Sequence, residues 1–347
     1  MRKRLGLLLV VMLSVILVVS LTFTSCKGTT TGGKTETGGK KFVVGYDIYY
    51  EGNVWSLQMA EEFKYGIQKD YSDMVEKVYY TSSEGDLTKQ LNNFDDLIAK
   101  GCDIIFLTPM DPNGVNDKIK AAVAEGIIVI PFGTTIYGED YTSFVNVDEF
   151  DMGKMKAEWV AKQIGGKGEV VLMNGIAGMV ADASKGAMEG FAKFPDIKVV
   201  QEVYTDWDYA KTKVEMANVL QAYPDLAGVW NYDDPRACGE AFIEQNHPWI
   251  PITWEDENGA LKMWKESIDK GFIGEVITKP SSISRPALDV GMRILKGEKL
   301  EKYVKVSPTT ITVDQIDDYY RPDLPEQFYT ITNLPDDIIK KLLSGQS

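Results

Sequence analysis

From residue 42 to residue 313, short apolar runs alternate with stretches whose apolar positions recur every three or four residues. The first kind reads as buried strand and the second as amphipathic helix. Residues 42–48 form the first strand, and Leu57, Ala60, Phe63 and Ile67 mark one face of the helix after it. Residues 75–81 read as a strand. Residues 86–100 read as a helix with Leu87, Leu91, Phe94 and Ile98 as its buried stripe. The run DIIFL at 103–107 is continuously apolar, as in a parallel strand covered on both faces. Asp111-Pro112 gives a cap and a first-turn proline for a helix over 112–125. Strands follow at 127–132 and 144–147.

The alternation then restarts. Helices are expected at 151–164, 181–193, 209–222, 235–245 and 258–270. Strands are expected at 169–174, 197–204, 228–232, 252–254 and 272–278. A further helix at 284–296 and a strand at 309–313 complete the series. Strands alternating with helices of this length imply parallel sheets with right-handed crossovers. There are too many strands for one open sheet. The chain therefore reads as α/β, two Rossmann-like lobes, dividing near 145–148. The tail from 314 carries Pro322, Pro325 and Pro335 and a short amphipathic end at 336–343.

In open α/β sheets, ligands sit at the carboxyl edge of the strands. Asp47, Tyr49, Tyr50, Asn53 and Trp55 all stand at that edge after the first strand. Trp207, in the acidic loop TDWD, stands after a later one. Trp55 and Trp207 are read as site residues because their loops are polar. Trp159, Trp230, Trp264 and Tyr204 sit on periodic apolar faces and are read as core. Trp254 and Tyr232 fit either role. Asp234, just before Pro235, reads as a helix cap, as does Asp208 before Tyr209. Asp233 and Glu255 each end a buried strand and are the better site candidates.

Composition narrows the partners. A formal charge of −14 argues against nucleic acid. Arg2, Lys3 and Arg4 precede an apolar stretch over 5–21, the pattern of a signal peptide. It ends in Phe23-Thr24-Ser25-Cys26, which resembles a bacterial lipobox with Phe in place of the usual Leu. That resemblance implies a leader over 1–26 and lipidation of Cys26, with two acyl chains giving stable membrane attachment. An uncleaved membrane helix is the alternative reading of the same stretch. Residues 27–41, rich in Gly, Thr and Lys, read as a flexible tether. Either way, the rest of the chain lies outside the cytoplasm.

Catalysis finds little support. His247 is the single histidine and precedes Pro248 in a loop. There is no G-x-S-x-G elbow, P-loop or dinucleotide fingerprint. The three cysteines make neither a disulfide framework nor a zinc site, and 111–117 lacks calcium-loop spacing. Cys102 and Cys238 read as packing residues. The chain is read as a non-enzyme without cofactor or metal.

The order of elements resembles that of the type I periplasmic (solute-binding) proteins, ribose and xylose sort, over roughly 42–313. The strings DIIFLTPMDPNGV, EGIIVIPF, VLMNGIAGMVADASKGAMEGF and YTDWDYAKTKVEMANVLQAYPDLAGVWNYDDPRACGEAF carry the resemblance. It implies three hinge crossings, near 145–148, 278–280 and 307–312. Lobe one would be 42–145 plus 281–306, lobe two 146–278 plus 307–320, and 321–347 a C-terminal extension. It also implies a monomeric binding component delivering a small solute, most readily a sugar, to an ABC permease.

In that family's pattern, Trp207 matches the aromatic that stacks on a sugar face, and Trp55 the aromatic pair after the first strand. Asp233 falls where Asn is frequent, Glu255 where Asp is, Lys279 near a hinge Gln, and Lys185 near an arginine. Gly133-Thr134 departs from the Asp-Arg common in sugar binders, so a hydroxyl site of the usual design does not follow. An aromatic box with carboxylates and few arginines also suits a cationic solute such as a polyamine, a quaternary ammonium or a nucleoside-like compound. A receptor module for a sensor kinase or chemoreceptor is a further alternative of the same fold.

Overall fold

The structure, a computed structural model, describes residues 40–344. The leader, Cys26 and residues 27–39 of the expected tether lie outside the described residues. Among the described residues, no helix is long and apolar enough to cross a membrane.

The first sheet takes its strands from β1 (Phe42–Ile48), β2 (Val75–Ser82), β3 (Ile104–Leu107) and β4 (Ile128–Pro131), in the order β2-β1-β3-β4, all parallel. A parallel bridge from Phe132 to Val145 extends it to β5 (Phe144–Val147), which pairs with β11 (Tyr303–Val306). Helices α1 (Val54–Asp70) and α9 (Ser284–Leu295) cover one face, and α2 (Leu87–Ala99) and α3 (Asn116–Ala124) the other. β3 is buried at every position because it is covered on both sides.

The second sheet runs β12-β10-β9-β8-β6-β7, from β6 (Lys167–Asn174), β7 (Asp196–Tyr204), β8 (Leu226–Tyr232), β9 (Ile252–Trp254), β10 (Gly274–Thr278) and β12 (Thr309–Ile311). Only β12 is antiparallel to its neighbour. On one face α4 (Glu149–Gln163) packs on α5 (Ala181–Ala192). That contact is close: a Cβ on Gly153 would lie 2.0 Å from the Ala183 carbonyl oxygen, and one on Gly186 2.0 Å from that of Phe150. Helices α6 (Tyr209–Ala222), α7 (Pro235–Glu244) and α8 (Asn258–Ser267) cover the other face. The chain thus passes from the first sheet to the second after Val147, returns after Thr278, and crosses again between Val306 and Thr309.

Three local expectations need correction. α3 begins at Asn116 rather than Pro112, because the Asp111 carboxylate accepts from the amides of Asn113 and Gly114 and closes a turn there instead. The buried stripe of α2 centres on Gln90, Phe94 and Leu97, with Leu87, Leu91 and Ile98 only partly covered. β11 was not expected; its sequence YVKV alternates too weakly to stand out and gains its order from β5.

After α10 (Ile316–Tyr319) the chain packs a fifth apolar cluster from Leu324, Phe328, Leu334, Ile339 and Leu343. The last two belong to α11 (Asp336–Leu343), and the cluster rests on Val54 and Tyr65 of α1.

Candidate functional site

The carboxyl edges of the two sheets face one cleft of about 260 Å³. Such a volume suits a small solute rather than a polymer. Trp55 and Trp207 both line it. Trp55 opens α1, whose first turn is fixed by Asn53 accepting from the Ser56 amide at 2.8 Å. The Trp55 indole N–H donates to the Lys279 carbonyl at 3.3 Å, linking the helix to the chain segment between the sheets. Trp207 follows β7 in a loop where Asp206 and Trp207 both have positive φ, 62° and 56°. Its indole N–H donates to the Tyr232 carbonyl at 3.1 Å. Two successive non-glycine residues in the left-handed region store strain, a feature that clusters at functional sites.

The floor of the cleft is built from buried charge at the crossings. Glu149, opening α4, receives Lys279 Nζ on one oxygen at 2.5 Å and the Tyr232 hydroxyl on the other at 2.8 Å. Lys279 Nζ also donates to the Gly133 carbonyl at 2.5 Å and lies 5.6 Å from the centre of the Trp55 ring. Beside this pair, Glu255 takes Lys156 Nζ and the Thr278 hydroxyl. Lys156 is wholly buried; burial pushes its ammonium down and the Glu255 carboxyl up. Asp233 accepts from the hydroxyls of Thr205 and Thr212 and from the Asp234 amide. Burial nevertheless raises its carboxyl to about 7. Each side-chain oxygen is already engaged, so these acids shape the pocket and its potential as much as they offer free acceptors.

Of the residues singled out in the sequence, Asn53, Trp55, Trp207, Asp233, Glu255 and Lys279 line the cleft. Asp47 and Lys185 do not, and these two placements are corrections. Asp47 is fully buried inside the first lobe, held by Thr81, Ser83, Gln90 and Asn93 at 2.6–2.9 Å. The carboxylate turns between β2 and α2 because four neutral donors wait there. Lys185 is exposed on α5 and pairs with Asp182 at 2.9 Å. Trp254 is fully buried core. Tyr232 is in the cleft wall, and Tyr50 is an exposed side chain outside it. Asp208 and Asp234 cap α6 and α7.

The sequence reading missed Glu149, Arg236, Glu257, Gln327 and Tyr329, all cleft residues. Glu149 carries the same signal as Glu255, a carboxylate at the end of a buried strand. Arg236 sits in the first turn of α7, hidden behind the cap signal of Asp234-Pro235. Gln327 and Tyr329 come from the C-terminal tail, where nothing local points to a cleft.

The periplasmic binding protein domain family matches residues 44–299. The chain is 26% identical over 269 residues to the ribose import binding protein of Bacillus subtilis, covering 76% of this chain and 85% of that one. It is 24% identical over 247 residues to a xylitol-binding protein of Mycolicibacterium smegmatis, covering 70% of each. Among solved structures, an ABC transporter solute-binding protein from Thermobispora bispora superposes with a TM-score of 0.75 at 21% identity, over 87% of this chain and 94% of that one.

Proposed function

Because the chain belongs to the periplasmic binding protein domain family, a family of binding proteins rather than enzymes, we propose that it is the extracytoplasmic solute-binding component of an ABC importer. Its two lobes close about the hinge on a small polyhydroxylated solute, a monosaccharide or sugar alcohol. The observation that carries this reading is the pair Trp55 and Trp207 lining one cleft from different lobes. Ring C–H faces pack on indole, and hydroxyls bond the charged groups around it. The similarity to ribose- and xylitol-binding proteins supports the same class. Gly133-Thr134 lines the cleft in place of a charged pair. Hydroxyl recognition therefore falls to Asn53, Lys279, Arg236 and the carboxylates. We further propose that Cys26 carries a lipid and that the segment after it tethers the binding unit to the membrane.

One observation favours a second reading. Asp233, Asp234, Glu149, Glu255 and Glu257 line the cleft against only Arg236 and Lys279, a balance that also suits a cationic solute. A thermal-shift screen with D-ribose, xylitol, other neutral sugars and polyols, and spermidine separates the two, since a tight ligand raises apparent stability. A shift with a neutral polyol is the expected result. A shift with spermidine and with no polyol overturns the sugar reading.

A further inference from the structure

The tail beyond α10 is not a loose end. It leaves the second lobe, runs along the mouth of the cleft and docks on the first lobe. On the second lobe, the Asn258 side-chain amide donates to the carbonyls of Arg321, Leu324 and Pro325 at 2.8, 3.3 and 3.2 Å, and its oxygen accepts from the Arg321 amide at 2.9 Å. The amides of Asn258 and Gly259 donate to the carbonyls of Phe328 and Glu326 at 2.8 and 2.7 Å. Asp256 accepts from the Ile331 amide at 2.8 Å. On the first lobe, Gln58 of α1 bonds the backbone of Tyr329 in both directions, at 2.7 and 2.9 Å. One turn on, Glu62 takes the Thr332 hydroxyl at 2.6 Å and the Asn333 amide at 2.5 Å. Within Phe328–Asn333, then, the backbone is gripped alternately by the two lobes.

The sockets are built for this segment. Gln58, Glu62, Asp256 and Asn258 are all at most 1% exposed, and buried polar side chains of this kind need their partners. Gln58 and Glu62 stand four residues apart on one face of α1. Gly259 allows the approach: a Cβ there would lie 3.0 Å from Glu326 Cβ and 3.2 Å from its carbonyl oxygen. The segment also presents side chains to the site, since Gln327 and Tyr329 line the cleft with the two tryptophans. Among the described residues, the Tyr329 hydroxyl makes no hydrogen bond of its own. The matched family region ends at 299, so this wall lies outside it.

We propose that residues 321–343 form a strap fastening the two lobes across the mouth of the cleft, and that Tyr329, with Gln327, is a specificity-determining contact to the bound solute. The second half rests on the cleft being the solute site. The strap sets the third wall of the pocket, and its grip on both lobes limits how far they open. Burial, and after it the charges of Glu257, Asp234, Asp256 and Glu255, push the Tyr329 phenol well up, so it enters the site as a neutral donor.

Calorimetry with D-ribose, xylitol and spermidine, on the wild-type protein and on Tyr329→Ala and Tyr329→Phe, tests the contact. For any probe that binds the wild type, Tyr329→Ala is expected to weaken binding at least tenfold and Tyr329→Phe severalfold, with the unliganded melting temperature held. Wild-type affinity in Tyr329→Ala overturns the proposal. If no probe binds the wild type, the proposed ligand class fails, and the strap is judged by hydrogen exchange. The amides of Tyr329, Ile331 and Asn333 are expected to exchange slowly in the wild type and fast in Gln58→Ala and Gly259→Val. Fast exchange in the wild type, or unchanged protection in both variants, overturns the strap.

Discussion

The Trp207 indole lies directly over Gly175, so closely that a Cβ on Gly175 would sit 2.0 Å from Trp207 Cε2 and 2.2 Å from Nε1. Gly175 directly follows β6 and is the bare surface against which the ring is held in the cleft wall. A methyl group cannot share that space. Gly175→Ala is therefore expected to displace the indole and to weaken solute binding by about as much as Trp207→Ala, tenfold or more (roughly 1.4 kcal/mol). The fold should survive, because the ring moves toward the cleft rather than into the core. Calorimetry beside a circular-dichroism melt checks this; unchanged affinity in Gly175→Ala means the indole position does not matter to binding.

Lys279 is the cation that the Glu149 carboxylate faces at the crossing between lobes. Removing one partner of a buried pair leaves the other charge uncompensated, at a cost of roughly 3–5 kcal/mol. Lys279→Met is expected to lose stability on that scale, with Glu149→Gln losing less because it retains a partner for the Tyr232 hydroxyl. The double variant Lys279→Met, Glu149→Gln should recover part of the loss. Denaturant unfolding of all three is the check, and additive losses would show that the two side chains do not interact.

The strand and helix order was legible because the inner strands, such as β1, β3, β4, β6 and β8, carry short apolar runs bounded by loops, and the helices between them show apolar faces. DIIFL is the clearest case: β3 is buried on both sides, so no polar position interrupts it. The cleft was legible where edge position and residue type agreed, as for Trp55 and Trp207. It failed where side-chain direction decided. Asp47 stands at the carboxyl edge of β1 as Asp233 stands just after β8, yet it turns inward, because Thr81, Ser83, Gln90 and Asn93 meet it there. Tyr329 was invisible for a different reason. Its place depends on Gln58, 271 residues away in the chain, and no local pattern encodes such a pairing.

The proposed lipid anchor rests on Cys26. With the cysteine lipidated, the wild-type protein is expected in the membrane fraction and incorporates labelled palmitate. Cys26→Ser should take up no label. If Cys26→Ser takes up as much label as the wild type, Cys26 is not the lipidated residue and the lipidation reading falls. If the wild type incorporates no label, it falls directly.

Asp256 is expected to make the strap less stable as pH rises. Its Oδ2 accepts from the Ile331 amide, while Oδ1 is buried with no hydrogen-bond partner among the described residues. Burial raises the carboxyl from 3.8 to about 7, and the Ile331 hydrogen bond offsets this only in part. The folded chain therefore holds this proton more tightly than the unfolded chain. The stability it contributes is fully present below about pH 4 and is lost as pH rises through about 7, on the order of 4 kcal/mol at most by linkage. Asp256→Asn keeps an oxygen for Ile331 and cannot ionise. Its melting temperature should match the wild type near pH 4 and exceed it increasingly between pH 4 and pH 8. Asp233 titrates over the same range in both proteins, so the difference between the two curves, rather than either slope, is the quantity to read. A difference that does not grow with pH would mean that Asp256 is ionised in the folded chain throughout, and that the strap is held by a carboxylate rather than by a carboxylic acid.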